Sequence, residues 1–278
     1  MLAVFFALSA SFAWGISDFA AGLLSRRFAV VAVVFWSQLL GIPPLLAAIL
    51  LSGTSSMPHA DFLWGALAGL FTAVGLSSLY WAMALDMISV VAPVAALAPV
   101  IPVLVGLRSG DQLSPLHWIG VVAAVLGVLL LSIQTRQGKT RPVPRWSLGV
   151  AAIAAIAFGC WFVVMRQATE TGYGWAILGQ RSAATLVLGI VLAAQRIDPL
   201  PSWRVVPALI AIGTLDLAGT ALYAFSSHLG LLGVVSVLSS LYPLVTVALA
   251  LVVVKERINS LQRSGIVVAL AAVACLAT

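Results

Sequence analysis

The stretch Gln134-Thr135-Arg136-Gln137-Gly138-Lys139-Thr140-Arg141-Pro142-Val143-Pro144-Arg145-Trp146 lies near the middle of a 278-residue chain and is unlike what surrounds it. It holds four basic residues and two prolines, while 62% of the whole chain is hydrophobic and only 8% charged. Soluble domains carry about 25% charged residues, so this composition cannot build a water-facing surface. With a mean hydropathy of +1.15, the flanking sequence suits lipid, where a spanning helix needs about 20 mostly apolar residues. At roughly 25 residues per helix and turn, the chain holds about ten spans and leaves no soluble domain. The expected fold is all-α: a polytopic membrane protein of ten transmembrane helices.

Working outward from the linker, hydropathy and helix breakers predict five spans on each side. Those before it cover 2–23, 29–51, 62–85, 88–107 and 115–133; those after it cover 147–166, 174–195, 203–226, 231–254 and 261–277. The expected domains are a first five-helix repeat (1–133), the basic linker (134–146) and a second five-helix repeat (147–278). Sliding one half over the other at an offset of about 144 residues aligns Ala13-Trp14-Gly15 with Ala157-Phe158-Gly159 and Ala98-Pro99 with Tyr242-Pro243. Leu79-Tyr80 meets Leu222-Tyr223 one residue out of register, and Asp111 with Gly120 meets Glu256 with Gly265. The matches keep their order from end to end, as an internal repeat does. Five helices per half is an odd number, so the second half enters the membrane from the opposite side. Inverted repeats of this kind typify secondary transporters, whose sites lie at the repeat interface near the bilayer midplane.

The charge pattern excludes some functions and orients the rest. A net charge of +6 would suggest nucleic acid in a soluble protein, but here Lys and Arg crowd into short loops, where they set membrane orientation. The odd-numbered loops hold Arg26, Arg27, Arg136, Lys139, Arg141, Arg145, Arg196, Arg204, Lys255, Arg257 and Arg263; the even-numbered ones hold Arg108 and Arg166. That excess predicts odd loops in the cytoplasm and both termini outside the cytoplasmic membrane. Residues 1–25 have no basic n-region and an apolar run of span length, so they read as a retained first helix rather than a signal peptide. Cys160 and Cys275 both fall in apolar runs and form no disulfide framework. No Walker-type phosphate loop, H-E-x-x-H or G-x-S-x-G is present, and the histidines His59, His117 and His228 are scattered. No cofactor, metal site or catalytic constellation is therefore expected, and an intramembrane enzyme is the remote alternative.

The segment Gly110-Asp111-Gln112-Leu113-Ser114-Pro115-Leu116-His117-Trp118-Ile119-Gly120 resembles the G-E-R-L-S-P-L-Q-W-I-G stretch of the EamA-type drug/metabolite transporter superfamily. Lys255-Glu256-Arg257-Ile258-Asn259-Ser260-Leu261-Gln262-Arg263-Ser264-Gly265 repeats its Glu, Gln and Gly, Leu238 to Pro243 looks like the ninth helix of that family, and Trp14-Gly15 looks like its first-helix signature. Asp111 and His117 depart from the pattern, standing where Glu and Gln are usual. The resemblance implies a ten-helix basket around a central cavity, with the fifth and tenth helices peripheral. It also implies export of amino acids, related metabolites or drugs by uniport or proton exchange, and a monomer or homodimer. Many relatives place both termini in the cytoplasm, opposite to the charge count. A lipid-linked substrate flippase or scramblase on the same scaffold is the alternative.

Ionisable groups deep in a span cost about 2.5–3.5 kcal/mol each on insertion scales, so they mark candidate sites. Three qualify: Asp18, Arg181 and Asp216. Asp18 follows Trp14 by one turn and either faces the cavity and titrates or pairs with Arg26 and Arg27 at the helix end. Asp216 either relays protons or pairs with Arg181 to tie two helices; Arg181 either forks onto a substrate carboxylate or makes that tie. Trp14, Tyr80, Trp81, Phe158, Trp161, Tyr223 and Tyr242 are the central aromatics, suited to amphipathic or cationic solutes, and Ser239 adds a small polar group on the ninth span. Trp36, Trp64, Trp118, Trp146, Trp175 and Trp203 read as interfacial anchors. Pro93, Pro99 and Pro102 in the fourth span and Pro243 in the ninth free backbone carbonyls and predict kinked, cavity-lining segments. Gly65-xxx-Gly69 predicts close helix packing.

Overall fold

A computed structural model describes residues 1–53, 57–84, 97–132, 146–197, 203–254 and 259–277. All regular structure among these residues is helical. The elements are α1 (Leu2–Ser25), α2 (Val30–Leu40), α3 (Ile42–Leu51), α4 (His59–Ala84), α5 (Val100–Arg108) and α6 (Pro115–Ser132) before the linker. After it come α7 (Trp146–Ala168), α8 (Tyr173–Gln195), α9 (Val206–Leu229, entered through a 3-10 turn Trp203–Val205), α10 (Leu232–Ser239), α11 (Tyr242–Leu249, running into a π turn Ala250–Val254) and α12 (Ser260–Leu276). Among the described residues, six stretches are long and apolar enough to cross a bilayer by length and composition. The chain is a polytopic membrane protein.

The distribution of side chains is that of a protein in lipid. Small residues fill the interior: Ala7, Ala10, Ala68, Ala154, Ala176 and Ala272 are fully buried, while Phe5, Leu63, Leu104, Ile153, Leu186 and Ile190 face outward. Lipid tails are as apolar as leucine, so helices associate through close backbone approach rather than through the hydrophobic effect. The predicted small-residue face on the third span does this. A methyl group on Gly65 would overlap the Ala176 carbonyl, and one on Gly69 the Gln180 carbonyl.

These close approaches also fix helix directions. The most extensive packing joins α6 with α12, α4 with α8, α4 with α7, and α1 with α9, each pairing a helix from before the linker with one from after it. Gly120 lies against Leu276 and Gly127 against Ala269, so α6 and α12 run antiparallel. Gly189 lies against Phe35 and Gly41 against Arg181, so α2 and α8 are antiparallel too. Both pairs join helices that share a register in the two halves. The pairing of the first span with the eighth is mirrored by that of the third with the sixth.

Two spans are interrupted. The second divides at Gly41, with Pro43 and Pro44 opening α3. The ninth divides at Ser240-Leu241, with Pro243 in the first turn of α11. Proline supplies no N–H, so carbonyls one turn before it lose their intrahelical partners. In the fourth span Pro99 stands just before α5 and Pro102 lies buried within its first turn; Pro93 lies outside the described residues.

The motif that carries the family resemblance builds helix starts. Ser114 Oγ accepts from the His117 N–H at 3.2 Å, and His117 Nδ1 accepts from the Ser114 N–H at 3.3 Å. At the same register of the second half, Asn259 Oδ1 accepts from the Gln262 N–H and Gln262 Oε1 from the Asn259 N–H, at 2.8 and 3.0 Å. Both are capping boxes, and His117 takes the part of the usual Gln by offering a ring nitrogen as acceptor.

Candidate functional site

Arg181 and Asp216 sit near the middle of α8 and α9. Arg181 Nη2 donates to Asp216 Oδ2 at 2.9 Å, and Gln38 Nε2 from α2 donates to the same oxygen at 3.0 Å. Arg181 Nη1 points to the Ser37 and Gln38 carbonyls, 3.4 Å from each. Those carbonyls belong to the last turn of α2, where a guanidinium complements the negative end of the helix dipole. The Ser37 carbonyl also accepts the Gly41 N–H at 3.3 Å, so Arg181 is a second donor to it. Space for it comes from glycine: a methyl group on Gly41 would overlap the guanidinium, and one on Gly213 would overlap the Ser37 carbonyl. Arg181 is 0% exposed and its partner Asp216 23%, so the cation is sealed behind a carboxylate that keeps one open flank.

The repeat-related junction is neutral. Gln180, aligned with Gln38, donates through Nε2 to Thr72 Oγ1 at 3.1 Å. Thr72 stands 144 residues before Asp216, and in the second and seventh spans, where the register is 142, Leu39 stands where its mate has Arg181. The seventh span, α8, is continuous, so it exposes no carbonyls for a cation to cover.

Beside these junctions lies an aromatic layer shared by α1, α7 and α9. Trp14 packs on Trp161 with ring centroids 5.5 Å apart and on Tyr223 at 6.1 Å; Trp161 and Phe162 pack on Tyr223 at 5.3 and 4.9 Å. Tyr223 is fully buried; its hydroxyl donates to the Phe162 carbonyl at 2.7 Å and lies 3.3 Å from Ser236 Oγ. The Trp161 indole N–H is buried without a partner among the described residues. Trp14 lies against Gly219, and Ser17 Oγ donates to the Ile212 carbonyl at 3.1 Å. That antiparallel register places Asp18 and Asp216 at one depth, within about a helical turn of each other and of the aromatic layer.

Asp18 is partly buried, on the stretch of α1 whose Gly15 lies against Tyr242 and Val245 of α11. Ser239 is fully buried and donates to the Ala7 carbonyl at 3.4 Å, while Thr246 Oγ1 lies 3.2 Å from the Gly15 carbonyl; both tie the ninth span to α1. The structure thus gathers Trp14, Asp18, Trp161, Arg181, Asp216, Tyr223, Ser239 and Tyr242 around spans 1, 2, 6, 7, 8 and 9. The side chains of Tyr80 and Trp81 lie outside the described residues.

The roles of three residues escaped sequence reading. Gln38 is the second anchor of Asp216, Gly41 opens the second span, and Asp111 Oδ2 accepts from the Leu232 N–H at 3.0 Å, capping α10 from a distant loop. Gly41-Ile42-Pro43-Pro44 was the available signal for the break. No group of three or more His, Cys, Asp or Glu gathers among the described residues.

The EamA-like transporter family matches the chain twice, over residues 1–133 and 145–278. The chain belongs to the EamA-like transporter family. A solved crystal structure of a protein 18% identical in sequence superposes with a TM-score of 0.79, covering 98% of this chain and 95% of its own; at that identity it speaks for the fold alone. No curated protein matches. Membership makes the chain a membrane transporter with a small-molecule substrate.

Proposed function

We propose that this chain is a ten-span secondary transporter of small organic solutes (amino acids, related metabolites or drugs) that works by alternating access. Its units are the halves 1–133 and 147–278, joined by the basic linker 134–146 and related by inversion. The antiparallel course of α6 with α12 and of α2 with α8 supports the inversion, because helices of matching register then point in opposite directions. The loop charges support odd loops in the cytoplasm, both termini outside and residence in the cytoplasmic membrane. Export is the direction proposed.

The observation that carries this reading is the aromatic layer next to two mid-span carboxylates, built from helices of both halves. Trp14, Trp161 and Tyr223 offer ring faces to an amphipathic solute, and Asp18 and Asp216 supply charge one turn away. Asp18 lies on the stretch of α1 that packs on α11, the arm beyond the break in the ninth span, so proton exchange is assigned to Asp18, while Asp216 is held by Arg181 and Gln38. The prolines at 99, 102 and 243 serve as kinks that let the fourth and ninth spans follow the change of access. Purified protein in liposomes should carry at least one amino acid or cationic amphiphile, faster with a pH gradient. Asp18→Asn should abolish the gradient's effect, whereas Asp216→Asn should lower flux and leave its pH dependence in place. Absence of flux for every solute in such a panel would overturn the reading.

A further inference from the structure

We propose that the second span bends at Gly41 during transport, that its repeat mate the seventh span does not, and that Arg181 is the latch on this one-sided hinge. The proposal rests on the transport reading above. Its basis is a difference between two helices of matching register. The second span is α2 and α3, parted at Gly41 and followed by Pro43 and Pro44. The seventh carries Ala183-Ala184-Thr185-Leu186 at that register and runs unbroken through it.

The break makes bending cheap. Neither Pro43 nor Pro44 has an N–H to give back to the preceding turn, so swinging α3 breaks few intrahelical bonds. The two arms are also held unequally. α2 buries Ala32, Val33, Val34, Ser37 and Gln38 and packs on α1, α4, α8 and α9. α3 buries only Leu45 and Ile49, and its substantial contact beyond α2 is with the start of α8. Ile49 rests there on Gly174, while Leu50 and Leu51 face outward.

Arg181 occupies the hinge itself. Its guanidinium lies against Gly41, holds the Ser37 and Gln38 carbonyls, and is anchored through Asp216 to α9. It rests on the hinge residue, so a rotation about Gly41 changes its contact. The Ser37 carbonyl also accepts the N–H of the hinge residue Gly41, so in the latched conformation the guanidinium ties that hydrogen bond to α9. Where the helix is continuous, nothing needs latching, and Leu39 and Thr72 stand in place of Arg181 and Asp216. Arg181 is therefore a positioning residue.

The test uses the full chain in nanodiscs, with Cys160→Ser and Cys275→Ser and nitroxide pairs read by double electron–electron resonance. Labels at L50C and L229C follow α3 against the end of α9; labels at R27C and A194C follow the end of α8. The wild-type residues at 181 and 216 should give one dominant 50–229 distance, with any second population at roughly a tenth or less. The double variant R181L/D216T installs the residues the first half already uses. It should give two 50–229 distances of comparable weight and leave the 27–194 distance single. An unchanged 50–229 distribution, or a 27–194 distribution that splits in step with it, overturns the proposal. If the double variant does not fold, R181K replaces it under the same expectation, since a point charge cannot fork across carbonyls and carboxylate. Flux measured on the same samples separates the two claims: hinge behaviour without flux for any solute removes the transport reading alone. Flux with an unmoved 50–229 distance removes the hinge alone.

Discussion

Gln38 and Gln180 occupy the same register in the two halves and make different junctions. Gln180 meets a threonine hydroxyl, with Leu39 where its mate has a cation. Gln38 meets a carboxylate, with Arg181 beside it. The difference tracks one structural fact: the second span is broken where the charges gather, and the seventh is whole where they are missing. In a bilayer interior every polar backbone group must be satisfied from within the protein. At the break a guanidinium adds a donor to two carbonyls of the last turn of α2, a buried cation needs a counter-ion, and Arg181 and Asp216 form one answer to one break. The neutral junction shows what the same scaffold does without it.

The comparison is broken most forcefully by removing one charge. Arg181→Leu or Asp216→Thr alone leaves a buried ion without its partner, and each should cost about 3–5 kcal/mol of stability, read by denaturant titration in detergent. A loss below about 1 kcal/mol for either would mean that the pair does not act as a unit. Next come the glycines that admit the close contacts. Gly69→Ala drives a methyl into the Gln180 backbone and Gly41→Ala drives one into the Arg181 guanidinium; overpacking of this kind costs about 1–3 kcal/mol. The two should respond differently to context. In R181L/D216T the Gly41→Ala cost should fall and the Gly69→Ala cost should persist, which thermal unfolding of the four variants resolves. A smaller effect belongs to Asp111→Ala, which uncaps α10 and should cost about 0.5–2 kcal/mol. Asp111→Asn should recover part of it through its remaining carbonyl oxygen.

Much of the scaffold was legible in the sequence because the signals are long. Twenty-residue apolar runs announce spans, and Trp14-Gly15 with Phe158-Gly159 survives as a repeat because both pairs sit where helices of opposite halves touch. The small face at Gly65 and Gly69 was legible because close packing demands small residues at fixed spacing. The Arg181–Asp216 pairing was one of two readings left open by the sequence, and geometry supplied the 2.9 Å contact. Other features were hidden for physical reasons. Gln38 is an ordinary polar residue until the eighth span is placed against it, and Asp111 caps a helix 121 positions away. Gly41-Ile42-Pro43-Pro44 carried a break signal, but a continuous run of apolar residues on either side masked it. Tyr223 and Ser239 show the converse: their residue types suit a solute site, while their present partners are the Phe162 and Ala7 carbonyls.

The smallest expected effect is the most telling one. If the charged junction is an elaboration of the neutral one, R181L/D216T lets Gln38 donate to a threonine as Gln180 does. Replacing a buried ion pair by compact uncharged residues is often neutral. The double variant should then lie within about 1 kcal/mol of the wild-type chain, against the 3–5 kcal/mol lost by each single change. A double-mutant cycle on purified protein, unfolded by denaturant in one detergent, measures this directly. The account predicts a coupling larger than either residual loss; losses that simply add in the double variant would contradict it.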